Sequence, residues 1–200
     1  ETVQKWQNIP QILFAGDFYQ EPKFLEGFVE NAAPFLAKTT YDHFVFSYHG
    51  IPERQTVKAH LGKSCLGCEA GITNENYMCY KAQCLQTTRL LAKRLGLAPG
   101  TFTTCFQSRL GKEEWIKPYT EDVIKDLAAK GVKKVLAFSP AFVADCLETT
   151  IEVGEEYKEL FEEQGGEQWD LVPSLNDSRI WIDLLKDLVN KYAPVGVNAL

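Results

Sequence analysis

The chain has 200 residues, 45% of them hydrophobic, and 27 acidic against 21 basic side chains give a formal charge of −6. This content supports a sizeable buried core in one large domain or two small ones, one being favoured by size, and the acidic balance without a basic run makes nucleic acid a poor partner. The apolar runs are strand-sized, which excludes a membrane span, and six unevenly placed cysteines in so large a core do not suit a disulfide scaffold.

The chain starts at Glu1, and its first ten residues show no basic region followed by an apolar run. No signal peptide is visible, and a cytoplasmic location is expected. The run 12–15 predicts a strand. Phe24, Leu25, Phe28, Ala32 and Phe35 at helical intervals then predict a helix over 21–36. A second strand over 44–46 leads into the polar loop 47–52. The stretch 51–83 reads as a long irregular connection, of a kind that usually serves a function or is disordered. Leu85, Leu90, Leu91 and Leu95 predict an amphipathic helix over 83–95.

A third strand follows over 102–106, a helix over 120–129 closed by Gly131, and a fourth strand over 132–139. Next come a long helix over 144–164 ended by Gly165 and Gly166, a weak fifth strand over 169–172, and a last helix over 176–191. Such alternation predicts an α/β fold, a three-layer sandwich with a parallel sheet between helices. Chemistry in such sheets gathers beyond the carboxyl ends of the strands. The polar segments 47–52, 107–111 and 139–148 fall there.

Three groups of residues are chemically suggestive. His49 ends the second strand ahead of Gly50, which permits close approach or a positive φ, and Pro52, which stiffens the exit. Held so, an imidazole can take a proton or bind a metal near neutral pH, or it can be an ordinary satisfied loop residue. His43 and His60 read as surface or capping residues. On the long helix, Glu148, Glu152 and Glu156 recur every fourth residue and should stack along one face. They form either a solvated face or a carboxylate row, and Glu148, in a cleft beside like charge, would have a raised pKa. Cys146 suits a buried thiol slightly better than a thiolate, and Cys105 reads as core.

The third group is Cys65, Cys68, Cys79 and Cys84, a C-x2-C and a C-x4-C separated by ten residues. Thiolates at such spacing hold zinc or an iron-sulfur cluster, and spacing alone leaves both open.

The stretches Phe46-Ser-Tyr-His-Gly-Ile-Pro52, Phe106-Gln-Ser-Arg-Leu-Gly111 with Trp115 and Pro118-Tyr119-Thr120, and Ser139-Pro-Ala-Phe-Val-Ala-Asp-Cys-Leu-Glu-Thr149 together resemble the carboxy-terminal half of ferrochelatases. The resemblance covers nearly the whole chain. It implies a flavodoxin-like chelatase lobe over 1–200, with a cysteine-rich loop at 52–84, in a lyase that inserts ferrous iron into protoporphyrin IX to form protohaem.

Carried over by position, it makes His49 the active-site histidine, Glu148 the facing catalytic glutamate, and Glu152 and Glu156 a path for metal or protons. Tyr48, Ser108, Arg109 and Cys146 become pocket candidates, Cys146 standing where animal members carry a histidine. The four cysteines resemble an internal motif of some bacterial members, which favours a [2Fe-2S] cluster over structural zinc. The implied partners are porphyrin, ferrous iron and an amino-terminal lobe outside this chain, without which little activity is expected; peripheral membrane contact stays open. The alternatives are a zinc or iron-sulfur module for interactions or redox sensing, and a cobalt or nickel chelatase of another tetrapyrrole.

Overall fold

A computed structural model of the chain describes residues 7, 12–60 and 68–192. Four parallel strands, β1 (His43–His49), β2 (Phe102–Gln107), β3 (Lys134–Phe138) and β4 (Gln168–Leu171), lie in the order β2-β1-β3-β4. Register is fixed by pairs such as Ser47 with Cys105, Phe46 with Phe138 and Leu136 with Asp170. Among the described residues this is the flavodoxin order without its last strand, and the switch point lies between β1 and β3.

Strand residues alternate between two cores. Phe44, Phe46, Tyr48, Phe106, Leu136 and Phe138 face one layer of helices: α1 (Pro22–Leu36), α3 (Tyr80–Arg94) and α6 (Arg179–Tyr192). Val45, Cys105, Val135, Ala137 and Trp169 face the other, made by α4 (Thr120–Ala129) and the segment Glu148–Glu163. Both faces of β1 are therefore covered, which explains a strand buried at every position but its last. Stacked Phe46 and Phe138 rings, 4.7 Å apart, join the two central strands.

Three expectations are corrected. The run 12–15 is coil, with Ile12, Leu13 and Phe14 exposed, because β2 and β3 occupy both edges of β1 and the run pairs with no described strand. The connection after β1 contains helix α2 (Glu53–Ala59) and a 3-10 turn at Cys68–Ala70, so it is not wholly irregular.

The long helix is not α throughout. Residues Glu148–Glu156 form a π-helix that passes into α5 (Tyr157–Glu163). Outside donors capture two of its carbonyls: Gln107 Nε2 reaches Glu148 O at 3.0 Å and Trp169 Nε1 reaches Val153 O at 2.8 Å. Side chains entering the ladder in this way widen a helix, and π segments occur mostly at functional sites. No helix among the described residues is long and apolar enough to cross a membrane.

Candidate active site and metal centre

The carboxyl ends of β1 and β2 are tied closely. Gly50 N donates to Gln107 O at 2.7 Å. A Cβ on Gly50 would lie 3.0 Å from Gln107 O, 3.1 Å from Trp115 Cε3 and 3.2 Å from Ser108 O. The glycine next to His49 is thus required by close approach.

His49 Nδ1 lies 2.7 Å from Gly50 O. A carbonyl only accepts, so Nδ1 is the donor of this bond, and in the neutral form of the ring the lone pair lies on Nε2. The half-buried ring lies between Trp115 and Phe142, at centroid distances of 6.2 and 6.3 Å. It lines a cleft of about 520 Å3 with Ser108, Arg109, Trp115, Glu152 and Tyr157. Arg109 lies over the Tyr119 ring at 4.1 Å, which makes it a wall of the cleft.

Glu152 is the most heavily bonded carboxylate of the site. Oε1 accepts from Ser108 N and from Tyr157 OH, both at 2.9 Å, and Oε2 accepts from Ser108 Oγ and Gln107 Nε2. Ser108 reaches it twice from a left-handed backbone (φ 59°), a conformation costly outside glycine and characteristic of functional sites. Gln107 also accepts from Ser47 Oγ, which couples the cradle to the strand bearing His49. Burial, then the neighbouring Glu152 charge, push the Tyr157 hydroxyl far above its usual range, so it remains a donor.

Glu152 also belongs to a groove of about 320 Å3 with Leu147, Glu148, Ile151 and Glu156. The carboxylate row shares one face, as its spacing predicts, now on a π-helix. Glu148 differs from expectation: its pKa is lowered. A hydrogen bond with the Cys146 side chain, its own backbone amide and the His49 imidazole favour the carboxylate over slight desolvation. Exposure is the reason, since Glu148 lies open to solvent. His49 and Glu148 are within electrostatic reach of each other, and Cys146 is half-buried beside Glu148.

Tyr48 lies elsewhere. It faces the opposite layer, donates or accepts with Thr88 Oγ1 at 3.0 Å, and lines a separate cavity of about 360 Å3 with Phe18, Tyr80 and Cys84. Strand alternation sends it away from its neighbour His49, which corrects its place among the cleft residues. Sequence reading also misses Gln107 and Tyr157, and Asp145 proves to be a structural anchor. Burial opposes ionisation of Asp145, yet hydrogen bonds from Asn176, Ser174 and Thr149 hold its carboxyl below the ordinary range and fasten the turn before the π-helix. The available signal was a glutamine ending a buried strand.

The cysteines separate as well. Cys65 lies outside the described residues. Cys68 and Cys79 are buried and meet His60, their ligand atoms all lying within 4.8 Å of one another, a group that could hold a metal ion. His60 is 8% exposed and His43 7%, so neither is a surface residue. Cys84 stays outside this group: it packs in the main core, and burial pushes its thiol far up. His60, Cys68 and Cys79 thus form a group suited to a structural metal centre among the described residues.

Comparison with known proteins agrees with these motifs. The ferrochelatase family profile matches residues 1–193. A ferrochelatase of Legionella pneumophila (strain Philadelphia 1) is 45% identical over 183 residues, covering 92% of this chain and 55% of that protein. One from Pseudomonas syringae pv. syringae is 46% identical over 178 residues (87% of this chain, 52% of that protein), and one from Pseudomonas fluorescens 45% over 185 residues (90% and 54%). The chain thus spans about half the length of these relatives, and it belongs to the ferrochelatase family.

Proposed function

We propose that residues 1–200 form one lobe of an enzyme that inserts ferrous iron into protoporphyrin IX. The observation that carries this reading is the contact of His49 Nδ1 with Gly50 O, which turns Nε2 into the remaining ring nitrogen of a cleft that shares Glu152 with the carboxylate groove.

Metal insertion expels two pyrrole protons. His49 Nε2 accepts one, and the imidazolium so formed is stabilised by Glu148 nearby. Glu148, Glu152 and Glu156 offer hard oxygen donors suited to an arriving divalent cation or a departing proton. Glu152 is fixed by its four donors, so it serves as a stationary relay between groove and cleft. Trp115 and Phe142 supply apolar surface beside His49 for a flat macrocycle.

The porphyrin, the iron and the second lobe are parts of this proposal, as is a cytoplasmic location, tested by fractionation. For the resident centre, the resemblance favours [2Fe-2S], and the alternative is structural zinc on the same group of His60, Cys68 and Cys79. Visible absorption with iron and acid-labile sulfide analysis separates them. The function is tested by anaerobic porphyrin metallation in the full-length enzyme. His49→Ala is expected to abolish turnover with an unchanged circular dichroism spectrum, and normal turnover would overturn the reading.

A further inference from the structure

Between β1, β2 and α4 runs a row of polar side chains inside an otherwise apolar layer: Ser47 and Cys105 are fully buried, and Gln107 and Thr120 are each 1% exposed. Polar groups in such a place cost stability unless each is paired, and apolar residues of the same size would fill the space as well. Packing therefore does not account for the row.

The direction of each hydrogen bond follows from its ends. Gln107 Nε2 meets Glu148 O at 3.0 Å and Glu152 Oε2 at 3.4 Å. A backbone carbonyl only accepts, so the amide nitrogen faces the glutamate segment and Oε1 faces Ser47. Ser47 Oγ then donates to Oε1 at 2.7 Å, which commits its single hydrogen. The 2.9 Å contact between Ser47 Oγ and Thr120 Oγ1 accordingly has Thr120 as its donor. The Cys105 thiol lies 3.3 Å behind Thr120 Oγ1, and burial pushes it up to about 12, so no charge enters the row near neutral pH.

Thr120, Ser47 and Gln107 thus all donate in one sense, toward the glutamates, and bonds aligned in this way strengthen one another in a dry interior. Turning the amide over would set its oxygen against Glu148 O, acceptor against acceptor, so the row selects one orientation. Ser108 N and Tyr157 OH, both at 2.9 Å, hold Glu152 more closely than Gln107 does. Gln107 acts chiefly on the turn that carries Glu148, the carboxylate within electrostatic reach of His49. We propose that Gln107 is a positioning residue for the carboxylate row, its amide aimed by Thr120 and Ser47 so that Glu148 is presented at one fixed place beside His49. The inference rests on the chelatase reading, in which that row receives the arriving cation, so its effect falls on the metal rather than on the macrocycle.

The test is made in the full-length enzyme, with KM for ferrous iron and KM for porphyrin measured separately under anaerobic conditions. Gln107→Leu nearly keeps the volume and removes both bonds. It should raise KM for ferrous iron by roughly 10- to 100-fold, as loss of an outer-shell partner does, and leave KM for porphyrin unchanged. Should that variant fail to fold, a pair at Thr120 reads the row from its far end. Thr120→Val keeps the shape and loses the hydroxyl, whereas Thr120→Ser keeps the hydroxyl and loses a methyl group. A raised KM for ferrous iron is expected in Thr120→Val, with rescue in Thr120→Ser; a packing role gives the opposite order.

Hydrogen exchange across 148–156, followed by mass spectrometry without substrate, is independent of turnover. Thr120→Val should exchange faster there than Thr120→Ser or the parent. Equal exchange in the two variants, greater disturbance in Thr120→Ser by either measurement, or an unchanged KM for ferrous iron in Gln107→Leu would overturn the proposal. A parent enzyme that does not metallate porphyrin defeats the chelatase reading instead, and exchange then decides whether the row holds the glutamate turn.

Discussion

Two groups of metal-seeking side chains start close together in the chain, at His49 and at His60, and they differ in nearly every physical respect. His60, Cys68 and Cys79 are soft donors, closely grouped and buried. His49 is half-buried at a cleft, and the glutamates beyond it offer hard oxygens, with Glu148 and Glu156 in the open. A closed soft set retains an ion; an open hard set passes one on. Chelation of iron as a substrate needs the second behaviour, because tight coordination would stop turnover. Proximity of metal-binding residues in sequence therefore does not make them one site.

The largest expected effect breaks the comparison at its catalytic end. His49→Ala in the full-length enzyme should lower porphyrin metallation by about 10²- to 10⁴-fold while leaving the ion content of the cysteine-histidine group unchanged. Loss of both together would mean that the two groups act as one. Glu152→Ala should unfold more readily, by about 2–3 kcal/mol in denaturant melts, since it strands several donors that now reach a charged acceptor. Tyr157→Phe removes one of those bonds and should cost about 1–2 kcal/mol by the same measurement.

Gly50→Ala probes the tie between β1 and β2. Its new methyl meets backbone oxygens that cannot yield, so a loss of about 1–3 kcal/mol is expected in thermal melts. The smallest effect concerns acid. Asp145 has a folded pKa below its ordinary 3.8, so the unfolded chain takes up the proton first. Its contribution is present above that value and is lost as pH falls through the lower folded pKa. Acid titration of Asp145→Asn should accordingly show a shallower loss of stability below about pH 4 than the parent.

Much of this was legible from residue patterns. Short apolar runs and helical apolar spacings located β1 to β4 and the helices that cover them, because burial on two faces leaves a strong one-dimensional signature. The chelatase motifs marked His49 and the glutamate row because each motif is a short continuous stretch of chain. The run at 12–15 misled, since an apolar tetrapeptide becomes a strand only where an edge is free to pair with it.

What the amino-acid order determined by itself was the α/β architecture, the family and the residue types able to bind metal. Only tertiary structure decided that Tyr48 turns away from the cleft, that Gln107 and Trp169 draw the glutamate helix into a π form, and that His60 joins the sulfurs while Cys84 stays in the core. Each of those outcomes depends on groups distant in the chain competing for one hydrogen bond or one packing space, and such competition leaves no trace in local spacing.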